Sequence, residues 1–165
     1  MRWIPALFIV LLVGVSGLDI AINFKKIQHP RFMILSWLYT MCLLAVLFMP
    51  IASNGLVIHL TTPRVGRVNL QELQLTNLEF VENIIMTVPL GVIIKKYFSK
   101  LPLTLIAILG IILSGSFETV QYVLSHLFLI NRTSDINDVI SNTLGIVIGA
   151  ILMLLYRYFK TKGEN

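Results

Sequence analysis

Apolar residues along this chain neither alternate nor form narrow helical stripes; they continue for about twenty positions at a time. Five such runs stand out, at 3–22, 32–51, 80–98, 101–130 and 139–159. Each is close to or beyond the ~20 residues a helix needs to cross about 30 Å of hydrocarbon. The fourth is longer than a crossing requires, so its last turns are expected at or above the interface. The longest connection, 52–79, leaves no room for a separate soluble domain. The pattern predicts an all-α, polytopic membrane protein: one membrane domain over 1–165 with about five transmembrane helices.

Polar positions inside these runs fall into two classes. The first two runs carry few, namely Ser16, Asp19, Ser36 and Thr40, and read as packing helices. The other three each carry a line of polar and small residues at helical spacing. Asn83, Thr87 and Gly91 recur every four residues, with Glu82 beside them and Pro89 expected to kink the helix. Gly110, Ser114, Glu118, Gln121 and Ser125 form the second line, and Asp138, Asn142, Gly145 and Gly149 the third. Gly145-x-x-x-Gly149 is a small-residue surface that lets a neighbouring backbone come close. The three lines are expected to face one another, with the polar groups inside and away from lipid.

Composition agrees with this reading. The chain is 56% hydrophobic and 13% charged, whereas soluble domains average about a quarter charged. A net charge of +5 would suggest nucleic acid in a soluble protein, but here the basic residues follow membrane topology. With the N-terminus outside, five crossings put nine basic residues inside (Lys25, Lys26, Arg31, Lys95, Lys96, Lys100, Arg157, Lys160, Lys162). Four lie outside (Arg2, Arg64, Arg67, Arg132), which is the positive-inside bias. The C-terminus is then cytoplasmic, and no nucleic-acid partner is expected. A rival reading makes 1–17 a signal peptide, although the stronger basic cluster follows that run rather than preceding it. The single cysteine, Cys42, offers no disulfide or thiolate framework.

Depth then brings the polar residues together. If the fourth helix enters from the cytoplasm near Leu103, Glu118 lies roughly 22 Å along it, in the outer part of the bilayer. Asn83 is near the outer start of the third helix, and Asp138 and Asn142 near the outer start of the fifth. The expected result is an outward-facing polar pocket. Some of its acids have a structural alternative. Thr76-Asn77-Leu78-Glu79 reads as a capping box, with Glu82 in the positive first turn, and Asp135 can be the N-cap of the fifth helix with Asp138 at N3. Glu82 and Asp135 therefore stand as caps or as ligand-binding residues.

Asp138 leans towards function, because Asn142 continues its face deeper. Glu118 and Gln121 lie mid-helix and cap nothing. A carboxylate near the bilayer centre costs about 2.5–3.5 kcal/mol on insertion scales and normally faces a cavity or a partner. The structural alternative is a pair that holds helices together. Arg132 either neutralises an acid or grips an anionic group through its planar fork. His59 and His126 share no line with the acids and read as interfacial polar residues. Glu82, Glu118, Asp135 and Asp138 offer oxygen ligands to a hard divalent cation, but their spacing matches no dedicated metal motif, so no metal site is assigned.

Three blocks now resemble a known family. They are Glu82-Asn83-Ile84-Ile85-x-x-Val88-Pro89-Leu90-Gly91, Phe117-Glu118-x-x-Gln121, and Arg132-x-x-Asp135-x-x-Asp138-Val139-x-x-Asn142-Thr143-x-Gly145. Their residues and order resemble the VanZ-like family over about 69–150. Asn69-Leu70-Gln71-Glu72 lacks the proline of the family's Asn-Leu-x-Pro loop, and Glu82 stands where Asp is also found. The resemblance implies a bacterial plasma-membrane protein associated with resistance to teicoplanin, a lipid-bearing glycopeptide, without replacement of the D-Ala-D-Ala target. Some members carry a phosphotransbutyrylase label, which no feature of this chain supports.

Three functions are carried forward. In the first, the pocket binds an amphiphilic or lipid-linked ligand, such as a lipoglycopeptide, through Glu82, Asn83, Gln121, Arg132, Asp135 and Asn142. In the second, an intramembrane hydrolase or transferase acts on a lipid or lipid-linked envelope substrate, with Glu118 and Asp138 as acid and base. A small proton-coupled transporter is third, since five spans without a repeat fit it poorly.

Overall fold

The computed structural model describes residues 1–53 and 58–163. Five long helices account for most of it: α1 (Ile4–Asn23), α2 (Pro30–Phe48), α3 (Leu78–Tyr97), α4 (Leu103–Phe128) and α5 (Ile136–Gly163). A 3₁₀ turn, Phe24–Lys26, extends α1. Among the described residues, α1, α2, α4 and α5 are long and apolar enough to cross a bilayer. The third helix has the length but carries Glu79 in its first turn, Glu82 soon after, and Lys95 and Lys96 in its last turn. The chain is an all-α, polytopic membrane protein.

Helix ends fall where local chemistry puts them rather than where hydropathy fades. The second helix stops at Phe48, three residues short of its apolar run, because Pro50 drives Met49 into extended backbone (φ −82, ψ 156). The fourth starts just after Pro102, and beyond its last residue Leu129 takes a left-handed φ of 54, the conformation that glycine usually supplies at a helix end. The third is capped by Asn77, whose side chain accepts from Phe80 N at 2.8 Å. The cap is thus one residue later than the Thr76 of the expected capping box.

The chain divides into two compact units: Met1–Arg67 with Val120–Thr133, and Val68–Thr119 with Ser134–Asn165. The boundary cuts α4, so its residues up to Thr119 belong to the second unit and those from Val120 to the first.

In the first unit α1 lies on α2. Gly17 lets the indole of Trp37 come close, and Trp37 Nε1 donates to Ser16 Oγ at 2.8 Å. Two strands missed in the sequence, β1 (Ile51–Ser53) and β2 (Ile58–Leu60), pair antiparallel. Thr61 Oγ1 donates to the carbonyl of the fully buried Ile130 at 2.8 Å, and the Arg2 guanidinium donates to Thr61 O.

In the second unit α3 and α5 run parallel at a constant offset of 55 residues, seen in the pairs Asn83–Asp138 and Thr87–Asn142. Glycines make this seam possible. A Cβ on Gly91 would run into Ile146 O, on Gly145 into Thr87 Oγ1 and Ile84 O, and on Gly149 into Val88 O. The second-unit part of α4 packs on α5 at Gly110, where a Cβ would stand 3.2 Å from Thr143 Cγ2. Ile94, Ile106, Ile146 and Ala150 form the apolar core. Two short strands, β3 (Val68–Asn69) and β4 (Ser134–Asp135), pair in parallel directly before the start of α5. Burial here is inverted relative to a water-soluble domain: Thr87, Ser114, Ser141 and Asn142 are buried while Ile85, Ile112 and Leu152 are exposed. Lipid as solvent explains it, since apolar surface gains nothing by leaving hydrocarbon while polar groups must be satisfied internally.

Candidate functional site

The start of α5 is where polar side chains gather in the second unit. Asp135 is its N-cap: Oδ1 accepts from Asn137 N at 2.8 Å, two residues into the helix. The backbone N–H of Asp135 is itself held, donating to Glu118 Oε2 at 2.9 Å. In a capping box that N–H is taken by a glutamate at the third position of the same helix; here Glu118 of α4 performs the task from outside. Ser134 Oγ also donates to Glu118 O at 3.0 Å. Glu118 is buried, and Asp135 N is one group that its carboxylate serves.

The 69–77 loop closes on the same point. Asn69 Nδ2 donates to both Asp135 carboxylate oxygens at 3.1 Å, and to Glu72 O at 2.9 Å. Asn69 Oδ1 accepts in return from Glu72 N at 2.9 Å. Asn137 is buried, donates to Asp135 Oδ1 (2.7 Å) and Glu72 O (2.8 Å), and accepts from Gln74 N (2.9 Å). The loop stretch without the expected proline is thus fastened to the helix start by two asparagines.

One turn further in, Asp138 Oδ1 accepts from Asn83 Nδ2 at 2.7 Å, at the short end for an amide donor. Asp138 O accepts from Ser114 Oγ at 3.2 Å, which ties α4 to α5 at this level. Thr87 Oγ1 lies within reach of Asn83 O at 2.8 Å and Asn142 O at 3.1 Å. Asn142 itself is 1% exposed, and its Oδ1 has no hydrogen-bond partner. Helical side chains tilt toward the helix N-terminus, so this carboxamide points back toward the Asp138 level.

Of the residues singled out from sequence, the second unit therefore joins Asn83 to Asp138 and Glu118 to Asp135, with Asn142 one turn deeper. Glu82 precedes Asn83 on α3, half-buried, and no hydrogen bond links it to this network among the described residues.

Gln121 and Arg132 belong to the first unit, where their bonds go to the last turn of α2. Gln121 Nε2 donates to Leu47 O at 3.1 Å, and the Arg132 guanidinium donates to Val46 O. The final carbonyls of a helix lack internal partners and favour a cation, so both residues cap α2. Ser125 fixes the Arg132 backbone, exchanging bonds with its N–H and C=O at 2.9 Å each. His126 accompanies Tyr122, ring centroids 4.1 Å apart, and His59 is exposed. Among the described residues no three His, Cys, Asp or Glu side chains come together as a metal-binding group.

Asn69 and Glu72 enter the sequence reading only as the ends of the Asn69-Leu70-Gln71-Glu72 loop, and Asn137 does not enter it. The signal for Asn137 was its place between two acids in Asp135-Ile136-Asn137-Asp138, but it lies off the polar line of α5.

A model of the VanZ/LLP1 family matches residues 36–157. The chain belongs to the VanZ/LLP1 family. The matched region takes in most of α2 as well as the whole α3–α5 seam, so it reaches further toward the N-terminus than the three sequence blocks. Searches of curated proteins and of solved structures found no match.

Proposed function

We propose that this VanZ/LLP1 chain is a binding module of the bacterial plasma membrane. The polar end of its α3–α5 seam, facing outward, engages the head of an amphiphile such as a lipoglycopeptide or a lipid-linked envelope component. The observation that carries this reading is Asn142. A buried acceptor without a donor costs about 1–3 kcal/mol, and it lies one turn below the Asp138 carboxylate held by Asn83 and two turns below Asp135, whose N–H holds Glu118. A ligand hydroxyl or amide entering along Asp138 would supply that donor. Resistance to teicoplanin is the readout that the family association suggests.

A second reading, an intramembrane hydrolase or transferase on a lipid-linked substrate, draws support from the same two carboxylates. Glu118 and Asp138 are each positioned by a donor from another segment, as acid–base groups must be.

Glu118→Gln separates the two, because it keeps shape and hydrogen bonding while removing the titratable group. In a teicoplanin-sensitive host at matched protein level, full protection by the variant rules out catalysis by Glu118. Lost protection with ligand binding intact, measured by photo-crosslinking, defeats simple sequestration instead. Fusing a topology reporter after Lys162 tests the orientation: a cytoplasmic signal is expected, and an external one would turn the polar end away from the outer leaflet.

A further inference from the structure

We propose that the C-terminal end of α5 binds the phosphate of an anionic phospholipid, at a site separate from the polar network at the helix start. An open concavity of about 440 Å³ lies there, lined among the described residues by Arg157, Tyr158, Thr161 and Lys162, two of them cations. Arg157 is already anchored, since its Nη2 donates to Lys95 O at 3.3 Å and Lys96 O at 3.1 Å. A guanidinium fixed along one edge loses less freedom when its other N–H groups take up a phosphate. Thr161 Oγ1 donates back to Arg157 O at 3.1 Å. The donors offered to a ligand are therefore Arg157, the Lys162 ammonium and the Tyr158 phenol.

Depth places this concavity at the level of lipid head groups. The fifth helix has 28 residues, about 42 Å at 1.5 Å per residue, which exceeds the roughly 30 Å of hydrocarbon. Its last turns must emerge, and Tyr156, Tyr158 and Phe159, all exposed, mark the transition as interfacial aromatics do. The pattern just below selects a lipid rather than free phosphate. Ile151, Leu155, Tyr158 and Lys162 follow one another at steps of four, three and four, forming one exposed stripe. That stripe is apolar, then aromatic, then cationic, in the order of a phospholipid's acyl chain, glycerol region and phosphate.

The test uses the full chain in phosphatidylcholine nanodiscs carrying a graded fraction of phosphatidylglycerol, with bound lipid counted by native mass spectrometry. Preferential retention of phosphatidylglycerol is expected. Lys162→Gln should lower that retention about fivefold, the effect of one interfacial cation, and Arg157→Gln should lower it at least as much. Lys160→Gln removes the same charge from another face of α5 and should change it less than about twofold, because a built site depends on placement rather than on charge alone. Equal losses for Lys160→Gln and Lys162→Gln would mean a diffuse basic field and overturn the proposal. So would retention of phosphatidylcholine equal to phosphatidylglycerol, or displacement of the lipid by inorganic phosphate. Arg157 also caps α3, so a poorly folded Arg157→Gln leaves Lys162→Gln, which holds no carbonyl of α3, to decide.

Discussion

The two ends of the α3–α5 seam carry opposite charges and solve the same problem in different ways. At the start of the two helices lie Glu79, Glu82, Asp135 and Asp138; at their finish lie Lys95, Lys96, Arg157, Lys160 and Lys162. Both arrangements follow the helix dipole, which favours anions at the first turn and cations at the last. At the finish, capping uses what is there: Lys95 is buried, with Nζ donating to Ser99 O and Leu101 O, while Arg157 serves Lys95 O and Lys96 O. At the start it does not. Asp135 caps α5 with Glu118 holding its N–H, yet Asn83 and Asn142 carry polar groups inward past the first turn. Charge sign therefore says little about function in this chain. Polar atoms in excess of what helix ends require say more.

The largest expected effect removes the contrast by separating the helices. Gly149→Leu drives a side chain into Val88 O and should cost about 3 kcal/mol, the upper end for overpacking. Read as a fall in melting temperature or in folded yield, the loss should reach both ends, exposing Lys95 as well as Asn83 to labelling. If only one end loosens, the seam is not the cooperative element.

Next in size is the Asn83–Asp138 bond that joins the two helices at their start. A double-mutant cycle of Asn83→Ala and Asp138→Ala should give a coupling of about 2 kcal/mol, within the range for partners in one hydrogen-bond network. A coupling near zero would mean that Asp138 is held by other groups, and that its link to α3 is incidental.

How far all this was legible depends on the distance over which each feature is specified. The five helices and the glycine seam are local periodicities, so hydropathy and spacing reveal them directly. The different partners of Glu118 and Gln121 were not readable. Three residues apart on one face, they belong to one line of α4, yet Glu118 accepts from Asp135 N while Gln121 donates to the carbonyl of Leu47, 74 residues away. Asn69 and Asn137 were missed for a related reason. Partners of both come from segments more than sixty residues distant in sequence, and an asparagine in a loop or at a helix start gives no local sign of which carbonyl or carboxylate it will meet. The short strands, two or three residues each, lack the length in which alternation shows.

A smaller effect isolates capping itself. Asp135→Ala should cost about 1 kcal/mol, and Asp135→Asn much less, because asparagine caps equally well. A large loss in Asp135→Asn would show that the negative charge beside Asn69 and Asn137 matters more than the cap, making the start of α5 less like an ordinary helix end.

The smallest expected effect on stability is also the most informative about function. Asn142→Leu replaces a carboxamide with an apolar group of similar size at a position 1% exposed, whose Oδ1 lacks a partner. Removing an unsatisfied acceptor relieves its desolvation cost, so the ligand-free variant should melt at the same temperature or slightly higher. If Asn142 instead holds the bundle together, the variant will be destabilised by about 1–3 kcal/mol, as for any broken buried hydrogen bond, and its role is structural. Unchanged stability combined with lost teicoplanin protection points the other way. A residue that costs stability at rest and is needed only when the antibiotic is present marks where the ligand completes the core.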